Sequence, residues 1–267
     1  MGADIKQLRT RIKSIDSTKH LTKAMGLVAS SKIRKATEGM QRGRQYEQAV
    51  AQTIHRLTDS PECAQSPYME RRGEQRTKLI VIAGDRGLAG GYNANVFRLA
   101  KEFPDAEILP IGKRACERFN GSLLYAETFS YENAKSLTDV LCQDFVSGAY
   151  DRLGILYTQY HSMMSQEATI RWVLPLTKED SSATVDVIFE PDELTVLNAA
   201  IPEYVAGTLI ALVRESFASE VAARRVAMDS ADKNAQQMLD DLNLSYNRAR
   251  QSAITQEITE IVAGSGT

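Results

Sequence analysis

Proline is missing from both ends of this chain: all seven prolines, Pro61 to Pro202, lie in the middle. Proline interrupts helices, so the two ends are free to be long and continuous ones. Cysteine is scarce. Cys63, Cys116 and Cys142 are widely spaced and form no CxxC pair. An odd, scattered set excludes a disulfide framework and is expected as free thiols in a reducing compartment. The three histidines, His20, His55 and His161, stand apart from cysteines and carboxylates, so no metal set is at ligand spacing. Long apolar runs are lacking too. Leu79–Ala83 is far too short to cross a bilayer, and Lys6, Arg9, Arg11 and Lys13 break up any apolar signal core at the N-terminus. The expectation is a soluble, non-exported protein.

What is present is a globular balance, 43% hydrophobic and 25% charged over 267 residues, enough for one large domain or two modest ones. The net charge of −2 hides a division: residues 1–60 carry +7, residues 61–202 carry −6 and residues 203–267 carry −3. Between Asp16 and Glu38 there is no acidic residue, while Lys19, Lys23, Lys32, Arg34 and Lys35 crowd the same stretch. A solvated helix normally mixes signs at i, i+4. This one is expected to face negative charge on a partner.

The N-terminal segment, 1–60, has the pattern of a coiled-coil helix. Asp4 supplies a cap, with Gln7 three residues on. Ile5, Leu8, Ile12 and Ile15 recur at spacings of three and four. The same register continues through Lys19, Thr22, Gly26, Ala29, Ile33, Ala36, Met40, Gly43, Glu47, Val50, Ile54 and Leu57. The ends of this seam are apolar and its waist is small or polar. The C-terminal segment, 194–267, repeats in the same manner from Glu203 to Val262 and stops at Gly264 and Gly266. Helices of about 80 and 90 Å have no core of their own. They are expected to pair antiparallel, with Gly26, Ala29 and Ala36 facing turns such as Ala222, Ala223 and Ala227.

Residues 61–76 are polar and proline-bearing and are expected as a linker. Residues 77–193 alternate strand-like and helix-like stretches: strands at 77–84, 107–112, 123–130 and 153–160, helices at 93–103, 113–119 and 134–150. That alternation predicts a small parallel-sheet α/β domain. The runs 168–176 and 183–190 are expected as antiparallel edge strands.

The most enzyme-like stretch is IAGDRGLAGGYN, 82–93. Glycines between a strand and a helix can cradle a phosphate. Here they fall at 84, 87, 90 and 91, off the GxGxxG spacing, and Gly112-Lys113 is followed by Arg114 rather than Ser or Thr. That spacing favours a tight strand-to-helix turn needing positive φ or close backbone approach. There is no GxSxG, and His161 beside Ser162 says nothing about a triad.

The segments IKQLRTRIKSIDSTKHLTKAMGLVASSKIRKA (5–36), ASEVAARRVAMDSADKNA (218–235) and LSYNRARQSAITQEITEIVAG (244–264) resemble the terminal helices of gamma subunits of F-type ATP synthases. DRGLAGGYN (85–93) is similar to that family's DRGLCGG-N turn, with Ala89 where cysteine is common. Arg225 stands where the family often has methionine, and no close cysteine pair marks a redox switch. The resemblance implies an antiparallel coiled coil of terminal helices plus a small Rossmann-like α/β domain. It also implies a non-catalytic central-stalk rotor of a proton-translocating synthase. On that reading Lys23, Met25 and Lys32 pass the acidic levers of the β subunits within the α3β3 hexamer. Arg250, Gln251, Thr255 and Gln256 meet its catch loops. Ile254, Ile258, Ile261 and Val262 form an apolar bearing tip. Phe189 and Glu190 form a foot on the ring of c subunits, and the α/β domain holds the epsilon subunit. No cofactor, nucleic-acid partner or substrate of its own is implied. The implied location is the cytoplasmic face of a bacterial inner membrane. Two other readings stay open at this point: a nucleotide-binding α/β enzyme acting at 84–93, and a different coiled-coil scaffold that binds nucleic acid.

Overall fold

The computed structural model describes residues 2–73, 75–177 and 189–265. The chain runs α1 (Gly2–Thr58), β1 (Thr77–Ile82), α2 (Tyr92–Ala100), β2 (Glu107–Ile111), α3 (Lys113–Phe119), α4 (Tyr131–Val146), β3 (Arg152–Tyr160), β4 (Gln166–Leu174) and α5 (Glu193–Ser265). It divides into two compact units. One is built from residues 1–30 and 224–267, the other from residues 31–223.

In the first unit the start of α1 lies along the end of α5. Lys19 donates to the Gln236 side chain. A Cβ placed on Gly26 would stand 3.5 Å from Cβ of Met228 and 3.0 Å from Nη1 of Arg225. Gly26 thus makes room for the long Arg225 side chain. It meets residues 225 and 228, not an alanine turn.

In the second unit the remainder of α1 meets the first half of α5, again antiparallel. Ala36 and Met40 cluster with Ala218. A Cβ on Gly43 would lie 3.3 Å from the backbone of Ala211, and one on Gly207 would lie 2.6 Å from the Tyr46 ring. These are the closest helix-to-helix approaches recorded for glycines in this unit, and glycine permits them by having no side chain.

The sheet has strand order β2-β1-β3-β4. β1 pairs parallel with both β2 and β3, and β4 closes the sheet antiparallel to β3. β1 is buried along its whole length, as a strand covered on both faces must be. Ile80 and Ile82 point into the main core with Ile54 and Leu57 of α1, Leu141 and Phe145 of α4, and Leu197, Val205 and Leu209 of α5. Leu79 and Val81 point to the other face, against Val96 and Ala100 of α2 and Ala115 of α3.

One feature extends what the pattern predicts, and three differ from it. Helix α5 begins at Glu193 and runs straight through Pro202. An interior proline costs about 3 kcal/mol. Leu197, Ile201 and Val205 around it are completely buried, and each is worth about 2 kcal/mol of apolar burial, which outweighs that cost. Next, α5 has an 18-residue stretch of mean hydropathy 1.6, enough by composition to cross a membrane, but 67% of it is buried in the protein. Residues 123–130 form no strand. Their backbone is held by other groups: Gly112 donates to the Leu124 carbonyl at 2.8 Å, and the Asp85 carboxylate takes the N–H groups of Ala126 and Glu127. Finally, residues 61–76 carry two short 3-10 turns whose Cys63 and Tyr68 are buried in the main core. The strand expected at 183–190 lies, up to residue 188, outside the described residues.

Candidate functional site

In open parallel sheets a ligand crevice forms where the strand order reverses, beyond the carboxyl ends of the strands. Here that point lies between β1 and β3. The protein fills it with its own helix. Ser216 of α5 accepts the Thr158 N–H on its hydroxyl at 3.0 Å, and Ser219 donates to the Thr158 carbonyl at 3.0 Å. The Tyr92 hydroxyl donates to the Ser216 carbonyl at 3.0 Å. Glu220, 2% exposed, presses on the glycine-rich turn. A Cβ on Gly84 would stand 2.7 Å from Cδ of Glu220 and 2.9 Å from its Oε1.

The polar groups of that turn have internal work. The Gly84 N–H donates to Asn93 Oδ1 at 2.9 Å. Asp85 accepts from the backbone N–H groups of Lys113 at 3.0 Å, Ala126 at 3.0 Å and Glu127 at 2.8 Å. An aspartate at the first turn of α3 stands where an anionic ligand would otherwise bind. Gly84 therefore serves close packing against a helix, and two of the backbone donors that a phosphate would use here, those of Gly84 and Lys113, are already taken. Among the described residues no group of three or more His, Cys, Asp or Glu is placed to hold a metal ion.

Next to the crevice, two ion pairs fasten both long helices to the sheet. Arg44 of α1 donates to Glu215 of α5 through Nε at 3.1 Å and Nη2 at 2.6 Å, and Nη2 also reaches the Tyr160 carbonyl at the end of β3 at 2.8 Å. The Tyr160 N–H returns to Glu215 at 2.9 Å. Hydrogen bonding to Glu215 holds the Arg44 pKa above the ordinary arginine value. Glu47 of α1 pairs with Arg171 of β4 at 2.5 Å. Burial works to lower the Arg171 pKa, but the charge of Glu47 and its hydrogen bond more than offset it. The surrounding Tyr157 and Tyr204 hydroxyls are pushed up, mainly by burial. These four charged residues were not singled out from the sequence. One signal was there: Glu47 occupies a seam position in an otherwise apolar or small register.

The residues that the sequence pointed to fall on separate surfaces. On α1, Lys23 is exposed, Met25 is half-buried, and Lys32 is half-buried and paired with Glu127 at 2.5 Å. Leu21, Leu27 and Val28 near them are more than half exposed. Arg250, Gln251, Thr255 and Gln256 are exposed on α5. They begin about 22 residues, or about 33 Å, beyond the Met228 that meets Gly26. Thr255 donates back to the Gln251 carbonyl at 3.0 Å and Gln256 to Glu260 at 2.9 Å. Ile254, Ile258, Ile261 and Val262 are 47%, 55%, 64% and 64% exposed. Phe189 packs against the main core and Glu190 is exposed.

Comparison with known proteins supplies the context for this arrangement. The family described as ATP synthase matches residues 4–267. The chain is 40% identical to the ATP synthase gamma chain of Ruminococcus albus, over 98% of each chain. It is 37% identical to the sodium ion specific ATP synthase gamma chain of Acetobacterium woodii, over 99% of this chain and 98% of that one. Among solved structures it shares its fold with a chain of the Euglena gracilis mitochondrial ATP synthase. The TM-score there is 0.68, at 20% identity, covering 98% of this chain and 94% of the other.

Proposed function

Because the chain belongs to the ATP synthase gamma-chain family, we propose that it turns as a shaft and carries work between an ion-driven ring and nucleotide-binding subunits. The chain is a non-catalytic central-stalk subunit of a membrane-associated ATP synthase. The observation that carries the mechanical reading is the lock. Helix α5 occupies the crevice where a ligand would sit, and Arg44–Glu215 and Glu47–Arg171 tie α1, α5, β3 and β4 together. A domain whose cleft is filled by its own helix is suited to transmitting force, not to binding substrate.

On this reading the basic and apolar face of α1 around Lys23, Met25 and Lys32 meets acidic levers of β subunits in an α3β3 hexamer. Attraction of like kind was expected from the charge of this stretch alone. Arg250, Gln251, Thr255 and Gln256 contact its catch loops, and the exposed residues Ile254, Ile258, Ile261 and Val262 turn in an apolar collar. Phe189 and Glu190 meet the ring of c subunits, and the sheet domain holds an epsilon subunit on the cytoplasmic face of a bacterial inner membrane. Each orientation of the shaft shifts the relative free energies of the β conformations, so the coupling is allosteric in the thermodynamic sense.

The test uses the full chain assembled with α and β subunits. All three native cysteines are buried, so Met164→Cys, at a position 76% exposed, gives one reactive thiol on the sheet domain for a bead. ATP should drive continuous one-way rotation of that bead, and ATPase activity should appear only on assembly. A bead that stays still in an ATP-hydrolysing assembly would refute the proposal.

A further inference from the structure

In the second unit, α1, α5 and residues 126–129 enclose a half-open cavity of about 450 Å³, which is within the range of small-molecule sites. Its walls are apolar where Ala36, Phe129 and Phe217 line it, and cationic at Lys32, Lys35 and Arg214. Lys32 is neutralised by Glu127 at 2.5 Å. Among the described residues, Lys35 and Arg214 form no ion pair. Two cations without an ion pair, both exposed to solvent, therefore stand at the mouth of an aromatic and aliphatic pocket.

Gly39 is the second observation. Glycine inside a helix costs about 1 kcal/mol relative to alanine. Gly26 and Gly43 offset that cost through close contacts with the other helix. Gly39 has no such contact: a Cβ there meets nothing within 4 Å. Its missing side chain enlarges the cavity and does nothing for packing.

We propose that this cavity binds a small amphipathic anion, with a carboxylate or phosphate between Lys35 and Arg214 and an apolar or aromatic body over Phe129 and Phe217. A bare inorganic anion would leave the apolar walls wet, and a neutral apolar molecule would leave both cations unused. Such a ligand would bridge α1, α5 and the sheet domain at one point. It would stiffen or bias the very joint that the lock residues form.

The probe is 2-naphthoate, titrated calorimetrically into the full chain at low salt, with 2-naphthamide as its uncharged counterpart. Exposed ion pairs are worth up to about fivefold each. Naphthoate should therefore bind about tenfold or more tighter than the amide. Lys35→Gln and Arg214→Gln should each weaken it by about three- to fivefold. Gly39→Leu sets its Cβ in open space, extends into the cavity and improves helix propensity, so it should fold and lose binding. No naphthoate binding to the parent chain, equal affinity for the amide, or unchanged binding to Gly39→Leu each overturns the proposal. Binding should also persist in the assembly with α and β subunits. Its loss on assembly would give the cavity to a partner's side chain and overturn the small-molecule assignment.

Discussion

The carboxylate of Glu215 on α5 is gripped by the guanidinium of Arg44 on α1, at 2.6 Å from Nη2 and 3.1 Å from Nε. The two partners differ in surroundings: the Glu215 side chain is 6% exposed and that of Arg44 is 39% exposed. Removing either one therefore has an unequal cost. Among the described residues, Arg44→Met leaves the buried carboxylate with only the Tyr160 N–H. Breaking a fully buried pair costs about 3–5 kcal/mol, and the partial solvation of this one reduces the expected loss to about 2 kcal/mol. Glu215→Gln keeps an acceptor for Tyr160 and leaves Arg44 with access to water, so about 1 kcal/mol is expected. Urea unfolding of the two variants measures the order. A larger loss for Glu215→Gln than for Arg44→Met would show that the carboxylate is not the costly member.

Gly84 and Glu220 make a second such relationship. A Cβ at residue 84 has nowhere to go, because it would stand 2.7 Å from Cδ of a carboxylate that is itself buried. Overpacking of this kind costs about 1–3 kcal/mol, so Gly84→Ala should destabilise the chain by that amount. Gly87→Ala is the control. There the nearest atom is Nη2 of Arg114 at 3.5 Å, and the substitution should be neutral within about 0.5 kcal/mol. Thermal unfolding of the two variants side by side checks this. Equal midpoints would mean that the turn yields and that Glu220 does not dictate glycine.

The α1 seam shows how far periodicity reaches. Of its sixteen positions from Ile5 to Leu57, nine are buried, seven are half-buried and none is exposed. A spacing of three and four selects one face of a helix, and that face is the one a partner helix covers. Periodicity is silent where tertiary contacts overrule local preference. The repeat itself is legible only from Glu203, although the helix expected over 194–267 runs through Pro202, sustained there by the burial of Leu197 and Ile201. Periodicity assigned a strand to 123–130, where Asp85, far away in sequence, supplies the hydrogen bonds. Long-range charge pairing is the other blind spot. Glu47 was visible as an oddity on the seam, but nothing local tells that Arg171, on β4, comes to meet it. Beyond the one-signed charge of the stretch 16–38, the partner-facing residues are readable only through family resemblance, since an exposed lysine or isoleucine looks alike whether it is solvated or awaiting a partner.

Burial also makes the chain sensitive to alkali. The Cys142 thiol, ordinarily near 9.0, is pushed up to about 12 by burial and the neighbouring Asp139. The Tyr68 hydroxyl, ordinarily near 10.0, is likewise pushed up to about 12, and burial raises Tyr150 as well. A group whose folded pKa is raised stabilises fully below its unfolded pKa and loses that contribution as pH climbs toward the folded value. Stability should thus be flat up to about pH 9 and then fall, by about 1.4 kcal/mol per pH unit for each group in its window. Cys142→Val removes one titrating group while keeping an apolar side chain and should flatten the first part of that limb. Unfolding midpoints between pH 8 and 11 measure it, and superimposable limbs for parent and variant would exclude Cys142 as a source.

The far end of α5 offers the sharpest separation between a structural and a partner role. Ile258 and Val262 are 55% and 64% exposed. Substitutions at such positions move stability by no more than about 0.5 kcal/mol. Ile258→Asn combined with Val262→Asn should leave the unfolding midpoint of the isolated chain almost unchanged. In the assembly with α and β subunits the same change places two amides in an apolar collar, and each unsatisfied amide costs about 1–3 kcal/mol. Assembly should therefore weaken by about tenfold or more, read from the concentration of variant chain needed to restore ATPase activity to α and β. Met25→Lys provides the complementary case on α1. It adds a cation where acidic levers are expected to pass. It should leave assembly intact and lower ATP-driven ion pumping in vesicles relative to ATP hydrolysis. A double variant at the tip that assembles like the parent would remove the bearing role from these residues, and normal pumping by Met25→Lys would remove the lever contact from Met25.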